Sequence, residues 1–124
     1  MKIFNVIATT TLLAMAGLHA QAGALQEILS GGVLKVGTTG DWNPMTMKDP
    51  ETNTYTGYDI DVMTELAADM DVELEFVPTE WKTLVAGVTS GKYHMTGSAS
   101  VSAGRAKATG YSDSYFSLAT VPLT

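Results

Sequence analysis

The feature that most constrains the fold is a repeated change of hydrophobic period along the chain. Val33 to Gly37 is a short apolar run bounded by glycines, which predicts a strand. Apolar side chains then recur at spacings of three and four, which predicts a helix with one buried stripe. The stripe consists of Ile60, Met63, Leu66, Ala67 and Met70. Residues 72–76 alternate apolar and acidic side chains, the pattern of a strand with one solvent-facing side.

The same alternation continues toward the end of the chain. A second amphipathic helix is predicted from Glu80 to Ser90, and a short strand from Tyr93 to Gly97. A helical turn at Leu25 to Leu29 precedes the first strand, and Tyr115 to Leu123 predicts a last one. Strands and helices that alternate at these lengths indicate the α/β class, with a parallel sheet covered by helices and ligands at the carboxyl ends of the strands. We expect a further segment to complete so small a sheet.

Polar segments separate these elements. Thr38 to Gly57 contains prolines and several Asn, Asp and Thr residues, so we predict a loop there. Asp59 is predicted to cap the helix that follows, through its side-chain oxygen. Ser98 to Ser102 is a second, hydroxyl-rich loop, and Ser102 is predicted to cap a brief helix that carries Arg105.

The first 22 residues have the pattern of a secretory signal. Lys2 supplies a positive start, Ile3 to Leu18 is mostly apolar, and Ala20-Gln21-Ala22 is a small-x-small cleavage site. An anchoring helix is the alternative, but Asn5 and three consecutive threonines interrupt the apolar run. We therefore predict a signal peptide at 1–22 and a mature chain from 23 to 124.

Charge and cysteine content restrict the partners. The formal net charge is −6, and the predicted cleavage removes Lys2, so a nucleic-acid partner is not expected. The sequence contains no cysteine, which excludes disulfides and a lipidated cysteine after the signal. We expect a protein that is free in the periplasm and not lipid-anchored.

Metal and nucleophilic chemistry are weakly supported. His94 is the only histidine left after cleavage, and we interpret it as a strand-end residue with a hydrogen-bond partner. Asp59-Ile60-Asp61 is not a calcium loop, because Met63 stands where the next oxygen ligand belongs. A triad of Ser98, His94 and Asp113 stays open as an alternative, although no nucleophile-elbow motif frames a serine. We predict no metal and no cofactor.

A carboxylate site is the better-supported chemistry. Ser98 and Ser100 lie in a loop after a strand, and Arg105 follows near a helix start. Together they offer hydroxyl and amide donors and a bidentate fork for a carboxylate, although a lone arginine is often a solvated surface residue. Trp42 and Trp81 each follow a strand, where they could wall a pocket or fill the core, and the residues alone leave both readings open.

Several segments, in this order, resemble family 3 of the solute-binding proteins, which serve transporters of polar amino acids. The segments are VLKVGTTGDWNP at 33–44, GYDIDV at 57–62, FVPTEW at 76–81, SGKY at 90–93 and YSDSYF at 111–116. The resemblance covers essentially the whole predicted mature chain.

The resemblance implies a fold, a ligand and a set of binding residues. The fold would be the periplasmic-binding-protein type II fold with two lobes, of which 23–124 supplies the first part of lobe one, up to the first crossing strand. The ligand would be an amino acid or similar small carboxylate, passed to the membrane permease of an ABC transporter. The implied ligand-binding residues are Trp42, Trp81, Gly97, Ser98, Ser100 and Arg105.

Some positions depart from the family pattern. His94 stands where an acid is usual, and Gly104 replaces a polar residue before the arginine. Thr39 occupies a position where relatives with basic ligands carry an acid, which argues against a cationic ligand side chain. Because ligands of such proteins are buried between two lobes, we expect residues 23–124 alone to bind weakly or not at all.

Two other functions stay open. Thr38–Asp41 and Pro78–Trp81 also resemble periplasmic cyclohexadienyl dehydratases, which remove water and carbon dioxide from prephenate or arogenate on the same scaffold. Such an enzyme would be a carbon–oxygen lyase with a general acid from lobe two. The sensory domain of a membrane receptor is the third possibility and would require a transmembrane helix further on.

Overall fold

A computed structural model describes residues 23–119 of the chain. The predicted signal peptide at 1–22 and the end of the last predicted strand lie outside the described residues. A single 3₁₀ turn, Trp81–Thr83, leads directly into the third helix. In chain order the elements are α1 (23–31), β1 (Val33–Thr38), β2 (Asp41–Trp42), β3 (Thr46–Lys48), β4 (Tyr55–Thr56), α2 (Tyr58–Asp69), β5 (Glu73–Pro78), α3 (Leu84–Thr89), β6 (Met95–Thr96) and α4 (Ala103–Ala108).

The main sheet is parallel, as predicted. Its strand order is β5-β1-β6, so β1 is the central strand. β1 and β5 pair along their whole length, from Val33 with Glu73 to Thr38 with Pro78. β6 is shorter than the predicted strand from 93 to 97, since Nδ1 of His94 accepts the Lys35 amide hydrogen at 2.9 Å where a ladder carbonyl would otherwise stand. His94 therefore has the hydrogen-bond partner that we predicted.

The core forms between the sheet, α1 and α2. Its buried members are Ile28, Leu34, Val36, Met63 and Ala67. Leu66, Met70, Val72, Leu74, Phe76 and Met95 pack against them. The predicted stripe of α2 thus faces the sheet, and burial of such side chains typically contributes about 1.5 to 3 kcal/mol each.

A second, small sheet lies where the sequence predicts only a loop. β2, β3 and β4 form an antiparallel sheet, with Trp42 opposite Thr46 and Met47 opposite Thr56. The loop prediction for 38–57 is therefore wrong in part. Strands of two or three residues are too short to show an alternation of apolar and polar side chains, so their pairing is decided by neighbours in space.

Of the two predicted helix caps, the one at α2 is wrong and the one at α4 is confirmed. Asp59 does not cap α2: the helix begins at Tyr58, its N-cap is Gly57, and no side chain caps it. The Tyr58 and Asp59 amides donate instead to the carbonyls of Pro44 and Met45, at 3.1 and 2.9 Å. The prediction for α4 is confirmed, because Ser102 Oγ accepts the hydrogen bond from the Arg105 amide at 3.3 Å.

The end of the described chain corrects another prediction. Residues 115–119 are not in a strand, although a strand is predicted from Tyr115 to Leu123. Tyr115 instead directs its hydroxyl to Asp59 across the fold, at 2.8 Å. Among the helices of residues 23–119, none is long and apolar enough to cross a membrane.

Candidate functional site

The loops that follow the strands of the main sheet meet at one edge. β1 ends at Thr38, β5 at Pro78 and β6 at Thr96. Because the strands are parallel, the segments after them emerge side by side. These segments carry Trp42, Trp81, Gly97, Ser98 and Ser100.

The two tryptophans lie at the surface of this edge. Their ring centroids are 5.6 Å apart at an interplanar angle of 72°, an edge-to-face contact. Trp42 is 41% exposed and Trp81 36%, so neither fills the core. Trp81 is oriented by a hydrogen bond from its Nε1–H to Asp41 Oδ1 at 3.0 Å. Both rings are thus partly exposed at this edge, and their role as a pocket wall stays a prediction.

The hydroxyl loop approaches a buried acid closely. A Cβ atom on Gly97 would lie 2.7 Å from Asp59 Oδ2, so any larger residue would collide with the carboxylate. Ser98 has a positive φ of 53°, a conformation that costs free energy in a residue other than glycine. The loop conformation therefore depends on contacts made by its neighbours.

Asp59 supplies those contacts. Its side chain accepts hydrogen bonds from Ser98 Oγ on Oδ2 and from the Tyr115 hydroxyl on Oδ1, the latter at 2.8 Å. Oη of Tyr115 in turn accepts the Ser98 amide hydrogen at 3.4 Å. Burial, followed by the hydrogen bond to Asp59 and its charge, raises the pKa of Tyr115 to about 12, so at neutral pH the phenol stays protonated and donates.

Sequence reasoning missed the role of Asp59, which is only 4% exposed. A signal was available in the spacing, since Asp59 lies four residues before Met63 and so on the stripe of α2 that faces inward. An acid on a buried stripe needs partners within the fold. A capping residue, by contrast, would lie before the first turn.

Arg105 lies beside the same loop and is half-buried. Its Nη1 donates to the Ser100 carbonyl at 3.0 Å, and the Tyr111 hydroxyl donates to the same oxygen at 3.2 Å. The first turn of α4 contains no acidic residue. The guanidinium is held against the loop by its hydrogen bond to the Ser100 carbonyl, and the first turn of its own helix supplies no carboxylate partner.

Only part of the predicted set faces one open cavity. Trp42, Ser98 and Ser100 line a cavity of about 250 Å³. Trp81 and Gly97 line a second space of about 10 Å³, which has room for no more than about one water molecule. Arg105 lines neither and reaches the first cavity through Ser100. The remaining walls of the larger cavity are Met45, Ala99, Val101, Tyr111, Ser112, Asp113, Ser114, Tyr115, Phe116 and Leu118.

The alternative hydrolase triad does not assemble among these residues. His94 Nδ1 accepts from the Lys35 amide, whereas Ser98 Oγ donates to Asp59. The serine hydroxyl is therefore bonded to a carboxylate, and no imidazole accepts its proton.

The class of protein follows from comparison of this fold with known proteins. The fold is the periplasmic-binding-protein type II fold, of which the chain covers part of one lobe. Residues 34–124 match the family described as bacterial extracellular solute-binding proteins, family 3. The chain belongs to this family.

Two relatives have different names within this family. The chain is 36% identical over 91 residues to a cyclohexadienyl dehydratase of Pseudomonas aeruginosa, covering 73% of this chain and 34% of the enzyme. It is 33% identical over 98 residues to the L-cystine-binding protein TcyA of Bacillus subtilis, covering 79% of this chain and 37% of that protein. The chain therefore spans about a third of the length of these relatives.

Solved structures similar to this chain also include a dehydratase and a ligand-binding domain. An ancestral cyclohexadienyl dehydratase superposes with a TM-score of 0.69 at 42% identity, covering 74% of this chain and 38% of that one. The arginine-bound form of domain 1 from TmArgBP, the arginine-binding protein of T. maritima, gives a TM-score of 0.67 at 32% identity, covering 73% of this chain and 71% of that one.

Proposed function

We propose that this chain is the N-terminal part of lobe one of a periplasmic solute-binding protein that captures an amino acid or similar small carboxylate for an ABC transporter. The observation that supports this most is the cavity in which exposed Trp42 faces Ser98 and Ser100, with Arg105 held against the same loop. Paired apolar and carboxylate-binding groups suit a ligand with both an apolar part and a carboxylate.

Each group would make a different contribution to binding. Trp42 and Trp81 are partly exposed, and their rings would cover the apolar part of the ligand. The Ser100 hydroxyl and amides of the loop would donate to the carboxylate, since the single hydroxyl proton of Ser98 is already donated to Asp59. Arg105 would supply charge and a planar pair of donors. A second lobe that closes over this edge would exclude water and strengthen the charged contacts.

Cyclohexadienyl dehydratase is the second candidate, favoured by the 36% identity to the Pseudomonas enzyme. A dehydratase needs a general acid beside the departing hydroxyl. Asp59 is the acid bonded to the loop, and both of its oxygens already accept hydrogen bonds from Ser98 and Tyr115. Asp59 is therefore engaged within the fold, and a dehydratase on this scaffold would take its general acid from the second lobe.

A titration followed by NMR tests the proposal. The chain has two tryptophans, so their indole N–H signals report directly on the aromatic wall. The probes are L-cystine, L-histidine, L-arginine, arogenate and prephenate. We expect at least one amino acid to shift the Trp42 indole signal and the Ser98 and Ser100 amide signals at saturable concentration. The titration uses the full-length protein with both lobes, because residues 23–124 alone are expected to bind weakly or not at all. Absence of any shift across the panel in that protein, or formation of phenylpyruvate from prephenate, would contradict the binding function.

Export is a separate prediction. We expect the chain expressed with residues 1–22 to be recovered from the periplasm with Gly23 as its first residue, because Ala20-Gln21-Ala22 is a cleavage site. Intact-mass measurement of the exported product identifies the new terminus. A matched variant, Ala22→Arg, should block cleavage at that position. Recovery of an uncleaved chain in the membrane fraction would show that 1–22 is an anchor instead.

A further inference from the structure

The two parts of the proposed binding surface come from distant parts of the chain. Trp42 belongs to the small antiparallel sheet, whereas Ser98 follows the last strand of the main sheet. The two sheets are separate in their strand pairing. Something other than strand pairing must therefore hold the aromatic wall and the hydroxyl loop at a constant separation.

Asp59 contacts both parts through different groups. Its backbone amide donates to the Met45 carbonyl at 2.9 Å, and the Met45 amide donates to the Trp42 carbonyl at 2.7 Å. Its carboxylate accepts from Ser98 Oγ and, through Tyr115, is connected to the Ser98 amide. A single residue at the start of α2 thus connects the turn that carries Trp42 to the loop that carries Ser98.

The surroundings of Asp59 make this connection stiff. Met45 is 2% exposed and Asp59 is 4% exposed, so neither side of the connection is free to swing into solvent. Gly97 packs against the carboxylate so closely that a Cβ atom would collide with it. Hydrogen bonds to a buried charged group are stronger than bonds between neutral groups, which suits them to hold Ser98 at its positive φ.

We propose that Asp59 is a positioning residue that sets the distance and orientation between the Trp42 wall and the Ser98 loop. The proposal deepens the binding function proposed above and rests on it for its effect on affinity. Asp59 need not touch the ligand, since both of its oxygens are directed to Ser98 and Tyr115.

The test compares Asp59→Asn with Asp61→Asn in the full chain. Asp61 is exposed and lies in the same first turn of α2, so its replacement makes the same charge change without touching the loop. In ligand-free NMR spectra, we expect Asp59→Asn to move the Gly97 and Ser98 amide signals and the Trp42 indole signal, and Asp61→Asn to leave all three unchanged. Unchanged signals in Asp59→Asn, with a melting temperature like that of the parent, would overturn the proposal.

Affinity gives the second measurement, with whichever of the five probes named above binds the parent. Asp59→Asn should weaken binding by about tenfold or more, because it replaces a charged acceptor of two hydrogen bonds. Asp61→Asn should change it less than about twofold. Ser98→Ala combined with Asp59→Asn should weaken binding by clearly less than the two single changes together, since Asp59 acts largely through the Ser98 hydroxyl. Additive losses would overturn the proposal.

The ligand-free spectra separate the two hypotheses. If none of the probes binds the full-length parent with both lobes, the proposed binding function fails, and the three NMR signals still decide whether Asp59 positions the wall and the loop. If a probe binds but those signals do not respond to Asp59→Asn, the binding function stands and the positioning role is wrong.

Discussion

Replacing Arg105 with lysine should weaken binding of the carboxylate ligand by about thirtyfold to several thousandfold. Lysine keeps the charge but loses the planar pair of donors, and a carboxylate left half-satisfied in a desolvated site costs about 2 to 5 kcal/mol. Arg105 is half-buried and bonded to the Ser100 carbonyl, so lysine would also release the loop on that side. Calorimetric titration of the exported protein with the probe that binds it measures the loss.

Lys107 provides the matched control for Arg105. It is a basic residue on the same helix, two positions further on, and it is exposed. Lys107→Ala should change affinity by less than about twofold, since a substitution of an exposed surface residue is usually worth within about 0.5 kcal/mol. Melting temperatures of the unliganded variants exclude misfolding as the cause. Unchanged affinity in both Arg105→Lys and Arg105→Ala would remove Arg105, and with it our placement of the carboxylate, from the site.

A methyl group added at Gly87 should destabilise the fold strongly. Gly87 lies inside α3, and a Cβ atom there would be 2.1 Å from Cζ of Tyr93 and 2.2 Å from its oxygen. Tyr93 is fully buried and cannot move aside without breaking the hydrogen bond from its hydroxyl to the Leu84 carbonyl, at 2.6 Å. Overpacking of this kind typically costs about 1 to 3 kcal/mol and occasionally more.

Thermal unfolding measured by circular dichroism checks this expectation. For a domain of this size, each kcal/mol corresponds to about 4 to 8 °C in melting temperature. Gly104→Ala is the matched control, because Gly104 is also helical and a Cβ atom there would meet nothing within 4 Å. That control should gain about 0.5 to 1 kcal/mol from the higher helix propensity of alanine. Equal melting temperatures for the two variants would show that Tyr93 does not fill the space beside Gly87.

The features that the sequence predicts well are those set by neighbours along the chain. The stripe of α2 follows from a spacing of three and four residues, and the cap of α4 involves Ser102 and Arg105, which are separated by three. The parallel sheet follows because strands alternate with helices of sufficient length to cross it. The order of the loops then places Trp42, Trp81 and the Ser98 loop at one edge.

Contacts between distant residues account for the predictions that were wrong or missing. The sequence predicts Asp59 as a helix cap, but its partners Ser98 and Tyr115 lie 39 and 56 residues away. The shortened β6 depends on a bond between Lys35 and His94, 59 residues apart. No periodicity within a short window contains such pairs.

The sequence by itself determined the class of fold, since hydrophobic period and capping chemistry act between near neighbours. Only the tertiary structure decided whether a methyl group at Gly87 stabilises or destabilises the fold. The role of Asp59 was likewise decided by the tertiary structure. Helix propensity favours alanine over Gly87, yet the buried ring of Tyr93 occupies the space that a methyl group needs. A carboxylate two residues after a helix cap could face solvent, but burial at 4% exposure forces it to find partners within the fold, and those partners are the loop of the proposed site.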